Sequence, residues 1–283
     1  MAKEAKKKLP YLDIDDVNKS FEDIQKEINL ISNSMIGLGL EYVNKMSGQF
    51  KSPKNDVFFK LRNSIQYRLG AILFHFTLLL DIQKRFQHRI DRDPFNNEES
   101  IKWMILGGEQ QYALFDSIVF HIISLFDYLG NLIDYILCGK SQSRLKWNGV
   151  IKLSYDNNSS LSKISIKNII QKWHSNFIDV LYNHRSDLIH YKMDFGSSSY
   201  TIDLGKGKAN LRIEAPHRFM TNFKELKKIS EDNKVGINYA VNWLIKKSTV
   251  ATTEIINSIF LEMEENRKVP KGKEIFIFKK KDT

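Results

Sequence analysis

Tyr182-Asn183-His184-Arg185-Ser186-Asp187-Leu188-Ile189-His190-Tyr191 is the stretch on which the reading of this 283-residue chain turns. It lies late in a run of helical periodicity that begins near Leu161, and it holds His184, Arg185 and His190 within seven residues. Each helical residue advances by about 100°, so Phe177, Ile178, Leu181, Leu188 and Ile189 share one apolar stripe, and Arg185 points into the middle of it. His190, with Asp179, Asn183 and Ser186, lies about a third of a turn or more away. A guanidinium cannot shed its charge, so one aimed at an apolar seam needs a counterpart. Three readings are open at this point: an ion pair with a neighbouring helix, a buried stem whose head reaches water, or a built anion site.

Working outward, the rest of the chain reads as mainly α. Asp13 to about Met46 carries Val17, Phe21, Ile24, Ile28, Ile31 and Met35 at three- and four-residue spacing, with Gly37 and Gly39 weakening its later part. Ser47 to Asn55 reads as a loop, and Asp56 as the N-cap of a long helix running to about Arg92. Asp93-Pro94-Phe95-Asn96-Asn97 ends that helix. The most apolar element follows from about Glu109 to Leu137, crossed by one polar stripe of His121, Ser124, Asp127, Asn131 and Asp134. That stripe reads first as a water-facing side, and it also offers the carboxylates a seam arginine needs.

Gly139 to Leu161 reads as a long polar connection with a possible short strand at Val150 to Tyr155. The helix bearing Arg185 is expected over Ser162 to Lys192. Tyr200 to Leu204 and Ala209 to Ile213 read as strands of a hairpin, and its Gly205-Lys206-Gly207-Lys208 link lacks the spacing of a phosphate loop. A last helix is expected from about Lys234 to Asn266, and Glu274 to Phe278 as an edge strand or tail. The expected fold is an up-and-down bundle of about five long helices with a small β-hairpin insertion at about 198–214. The domains expected are 1–55, a helix and loop packed on the bundle; 56–266, the helical domain; and 267–283, a basic tail.

Composition narrows the function classes. The formal charge is +10, from 43 Lys and Arg against 33 Asp and Glu, which suits a polyanionic partner such as RNA or DNA. Some of that charge sits in Lys3, Lys6, Lys7 and Lys8 and in Lys279, Lys280 and Lys281, which read as solvated tails. The single cysteine, Cys138, excludes an intramolecular disulfide and any cysteine-based zinc site, and points to a reducing, cytoplasmic setting. The basic start lacks the apolar core of a secretory signal. The most apolar runs read as core helices rather than membrane spans: Ala71 to Leu80 is short, and Tyr112 to Cys138 carries Asp116, His121, Asp127 and Asp134.

A late bundle helix carrying Arg185-x4-His190, preceded by a helix of the form Leu125-Phe126-Asp127-Tyr128-Leu129-Gly130-Asn131-Leu132-Ile133, resembles the HEPN superfamily. By helix order the resemblance covers roughly Asp56 to Asn266. It implies a metal-independent endoribonuclease without cofactors, acting as a homodimer whose two motifs meet in a basic cleft, in a defence or toxin–antitoxin setting. It implies RNA as substrate and an antitoxin or nucleotidyltransferase as regulatory partner. Arg185 and His190 would be the catalytic pair. Asn183, His184, Ser186 and Asp187 would support them or contact RNA, and Asp127 and Asn131 would orient Arg185. The residue after the arginine in active members is commonly Asn, Asp or His, and here it is Ser186. The alternative is a catalytically silent HEPN module that binds RNA or a protein; a plain helical interaction protein is the third.

A metal site is not expected. His184, Asp187 and His190 are three apart, and on a helix they fan across about 120°, too wide for an easy shared ligand sphere. No glycine-flanked serine elbow and no DNA-reading helix motif is present.

Overall fold

The computed structural model describes residues 14–45, 56–92, 98–138, 145–190, 198–203, 208–229 and 235–264; of residues 14–18, 45, 98–101, 104, 189–190, 198–203, 208–211 and 264 it describes the backbone alone. Among these the chain is mainly helical. The helices are α1 (Ile14–Lys45), α2 (Val57–Arg92), α3 (Glu98–Leu137), α4 (Trp147–Tyr155), α5 (Ile166–Trp173), α6 (Asp179–His190), α7 (His217–Asn222), α8 (Lys224–Ile229) and α9 (Ile237–Glu264). Strands β1 (Ser198–Asp203) and β2 (Lys208–Ile213) pair antiparallel, Ser198 opposite Ile213 and Asp203 opposite Lys208. The expected strand within Glu274 to Phe278, the loop Ser47 to Asn55 and the basic tails lie outside the described residues.

The long helices form where periodicity demands them. Ile24, Ile28, Ile31, Met35, Leu38 and Tyr42 of α1 are all buried, stepping by three or four. On α2, Phe58 and, one heptad on, Ile65, Leu69, Ile72, Phe76 and Leu79 at steps of three or four are buried. Asp56 caps that helix as expected, its Oδ1 accepting the Phe58 N–H at 2.8 Å. The α2 and α3 helices (the latter over Ile105–Leu137) are long and apolar enough to cross a membrane by length and composition, a test that buried core helices also pass.

Two expectations fail locally. Val150 to Tyr155 belongs to α4 and not to a strand. The helix is started from outside its own sequence, because Asp127 Oδ1 accepts the Trp147 N–H at 3.0 Å. The helix expected over Ser162 to Lys192 runs without a break from Ile166 to His190, as α5, a π-helical stretch at His174–Ile178 and α6, but its expected start is a separate one-turn 3-10 segment at Leu161–Lys163. A π turn inserts a residue and changes which side chains face inward downstream of it.

The chain divides into two compact units. The first draws on Met1–Asp23, Ile72–Phe120 and Val180–Ile245, the second on Ile24–Ala71, His121–Asp179 and Lys246–Thr283. In the first, an aromatic cluster joins Phe115, Phe219, Phe223 and Trp243, with successive ring centroids 4.9, 4.8 and 5.0 Å apart. The Tyr112 hydroxyl donates to the Glu214 carbonyl at 2.7 Å, and Ser20 hydrogen-bonds Asn242.

In the second unit Trp147, Phe126, Phe177 and Trp173 form a chain of edge-on rings. Glu262, 2% exposed, caps α5 from far along the sequence: its Oε1 accepts Ser165 Oγ–H at 2.6 Å and Ile166 N–H at 3.1 Å. Tyr42 stacks on Phe58 at 4.3 Å and donates to Asp56 Oδ2 at 2.8 Å, and burial pushes its hydroxyl well above the usual phenol range.

Candidate site at Arg185

On α6 the inward position is taken by His184, not by Arg185. His184 is 1% exposed, its ring edge-on to Phe115 at 6.2 Å and to Phe219 at 5.1 Å, while Arg185 is half-buried. The two residues straddle the middle of the face that includes Leu181 and Leu188. Imidazole is a ring that can shed its charge, and guanidinium is not, so an aromatic wall selects the histidine. This corrects two expectations: Arg185 is not the centre of the seam, and His184 has no exposed edge to offer RNA.

Arg185 comes to rest over an aromatic face. Its guanidinium carbon is 5.5 Å from the centroid of Phe120 on α3, and Phe120 is 44% exposed. Among the described residues the guanidinium has no hydrogen bond and no ion pair. The seam ion pair foreseen as one reading is therefore absent among those residues. What remains among the described residues is a fixed positive charge, held by a ring at the edge of water, its N–H donors accepted by none of them. Such a group suits a phosphate or carboxylate oxygen.

Asp116, which reads in the sequence as no more than a charge interrupting an apolar helix, lies one turn before Phe120 on α3. It is half-buried and without a hydrogen bond or ion pair among the described residues. Burial pushes its carboxyl up from 3.8 to about 6. Asp116 thus lies about one 5.4 Å turn along α3 from the ring over which Arg185 rests. Periodicity could not single out either Phe120 or Asp116, since exposed aromatics and half-buried acids are invisible until the facing helix is known.

Around Arg185, Asn183 and Ser186 are exposed and Asp187 is half-buried on α6. His190 is the last residue of α6, and its side chain lies outside the described residues. Asp127 and Asn131, expected to orient Arg185, belong to the second unit. There Asp127 caps α4 through Trp147, and Asn131 Nδ2 donates back to the Asp127 carbonyl at 3.1 Å. Asp134, the far end of the stripe expected to face water, is 1% exposed. Among the described residues no three His, Cys, Asp or Glu side chains converge as metal ligands. The chain matches no family model, no curated protein and no solved structure, so the resemblance to HEPN proteins stands on the Arg185-x4-His190 motif and the order of helices alone.

Proposed function

We propose that this chain is a metal-independent endoribonuclease of the HEPN type. The observation that carries the reading is the guanidinium of Arg185, without a hydrogen bond or ion pair among the described residues and held over exposed Phe120, on the helix that ends at His190. RNA brings its own nucleophile, the 2′-hydroxyl beside the scissile phosphate. What an enzyme must add is a base near neutrality and a fixed positive charge for the phosphorane. His190 removes the 2′-hydroxyl proton, and Arg185 neutralises the non-bridging oxygens. The 5′-oxygen leaves with a proton, giving a 2′,3′-cyclic phosphate and a 5′-hydroxyl end. In a two-fold homodimer the histidines of both copies divide the acid and base roles.

The finer fold reading belongs here too: an up-and-down bundle with a hairpin insertion, cytoplasmic, acting in a defence or toxin–antitoxin setting under control of an antitoxin or nucleotidyltransferase partner. Ser186, exposed where active members commonly carry Asn, Asp or His, favours the second reading, a catalytically silent module that binds RNA or a protein.

The test is incubation of the purified protein with mixed cellular RNA in EDTA, beside Arg185→Ala and His190→Ala. Cleavage by the parent protein alone, leaving cyclic phosphate ends, is the expected result. Absence of cleavage by a folded dimer moves the protein to the silent class.

A further inference from the structure

The helix α1 carries two packing seams, and the chain fills one of them. Ile24, Ile28, Ile31, Met35, Leu38 and Tyr42, stepping by four and three in turn, are all buried in the second unit. Two residues on from each stands a second series with the same steps: Lys26, Leu30, Asn33, Gly37, Leu40 and Asn44. Two residues are about 200° of helix, so the second series runs along the opposite side. Alternating steps of four and three are the spacing by which one helix packs along another. In this series Gly37 is half-buried and the other five are exposed. Leu30 is 58% and Leu40 65% exposed, with Ile36 beside them at 49%. A methyl added at Gly37 would meet nothing within 4 Å, so a side chain from outside has room to reach the helix there.

The outer seam is also neutral. No Asp, Glu, Lys or Arg lies between Ile28 and Leu40. Glu27, which borders the seam, is turned inward, its Oε2 accepting the Thr249 hydroxyl at 2.5 Å. A water-facing helix side ordinarily carries charge, and single exposed leucines need no explanation. Two leucines and an isoleucine on one uncharged stripe do need one. The occupant follows from charge. The chain carries a formal +10, so two copies repel over most approaches and can meet where the surface is neutral. The same neutrality offers a polyanion or an anionic lipid surface nothing to hold.

We infer that the outer face of α1 from Lys26 to Asn44 is an interface between two copies of this chain, paired antiparallel about a two-fold axis. In that pairing the series maps onto itself: Lys26 meets Asn44 of the second copy, Leu30 meets Leu40, and Asn33 meets Gly37. The Lys26 ammonium donates to the Asn44 amide oxygen at each end, and the Asn33 side chain fills the space over Gly37. Ile36 packs on Ile36 of the second copy beside the axis. A parallel pair would set glycine against glycine and leave a void at that layer. A two-fold contact of this kind closes on itself and stops at two copies. The nuclease reading calls for a homodimer without saying which surface makes it; the inference supplies a surface and stands whether or not RNA is the substrate.

The experiment is sedimentation equilibrium of the full-length protein at up to about 100 μM, a concentration that still populates an interface at the small end of specific ones. The variants are Leu30→Lys, Leu40→Glu and the two combined in one chain, with thermal melting as the folding control, since leucines so exposed contribute little to folding. The parent is expected to have the mass of two chains. Each single variant places a charge against a leucine of the second copy, and pairing is expected to weaken at least about a hundredfold, leaving monomers. In the combined variant an antiparallel pair sets the new lysine against the new glutamate at both layers, and dimers are expected to return. A parallel pair would set like charge against like and stay apart.

A monomeric parent, single variants that remain dimeric, or a combined variant that stays monomeric each overturns the inference. RNA cleavage by a protein whose single variants remain dimeric sinks this face and leaves the nuclease reading standing. Dimers lost in the single variants and restored in the combined one, from a protein that never cuts RNA, sustain the face and remove the nuclease reading.

Discussion

Asp116 provides the sharpest physical test, because burial with no partner among the described residues makes a carboxylate a liability. Its folded-state value of about 6, against 3.8 ordinarily, means that between about pH 4 and pH 6 the folded protein holds a proton the unfolded chain has released. Stability therefore falls as pH rises through that window, and the whole cost is present at pH 7.5. The shift corresponds to about 3 kcal/mol at full value, and partial contact with water screens it to about 1–2 kcal/mol. Asp116→Asn removes the charge at nearly constant volume. In urea unfolding at pH 7.5 the variant should be the more stable protein by that amount, a midpoint increase of roughly 0.5–1 M. At pH 4 the two should unfold together, since the parent carboxyl is then protonated. A gain equal at both pH values, or a loss at pH 7.5, refutes the argument that desolvation sets this group's titration.

Three further outcomes follow from single contacts. Glu262→Ala removes the buried cap of α5 and strands the Ser165 and Ile166 donors, so a loss of about 2 kcal/mol is expected, with faster amide exchange at the start of α5. Gly130→Ala should destabilise by about 1–3 kcal/mol in thermal melts. The new methyl would meet Val150 Cγ2 at 3.2 Å and the Trp147 backbone at 3.3 Å, atoms that cannot swing aside. Burial raises the Glu254 carboxyl, but hydrogen bonds from Lys172 and Trp173 at 2.8 Å, with the lysine's charge, outweigh it and hold the group below its usual value. Its stabilisation is then present above the ordinary carboxylate pKa and is lost as pH falls through the lowered one. Glu254→Gln should cost a fraction of 1 kcal/mol at pH 7, because the pair is exposed, and nothing at pH 2, by chemical denaturation.

The residues that mattered differ in how far away their reasons lie. The Asp56 cap is legible because the carboxylate and the amide it accepts are two residues apart. The start of α4 is not, because its cap is Asp127, twenty residues upstream on another helix. A short apolar run such as Val150-Ile151-Lys152-Leu153 fits a strand or a helix equally well until that cap is known. Glu262 acts on α5 across nearly a hundred residues.

The choice between His184 and Arg185 follows the same logic. Their angular positions on α6 are nearly equivalent, and only the rings of Phe115 and Phe219, delivered by α3 and α7, decide which one is enclosed. Asp116 and Phe120 likewise acquire meaning only from what faces them.

By itself the sequence determined that this chain is mainly helical, where α1, α2 and α9 run to within a few residues, and that Arg185 and His190 stand on one late helix. Helical period and nearby caps are local physics, complete within a few turns of chain. Tertiary structure alone decided that His184 is core, that Arg185 lies over Phe120 with no hydrogen bond or ion pair among the described residues, and that Asp127 accepts the first amide of α4. Burial, pairing and desolvation depend on which surfaces meet, and no single segment carries that information.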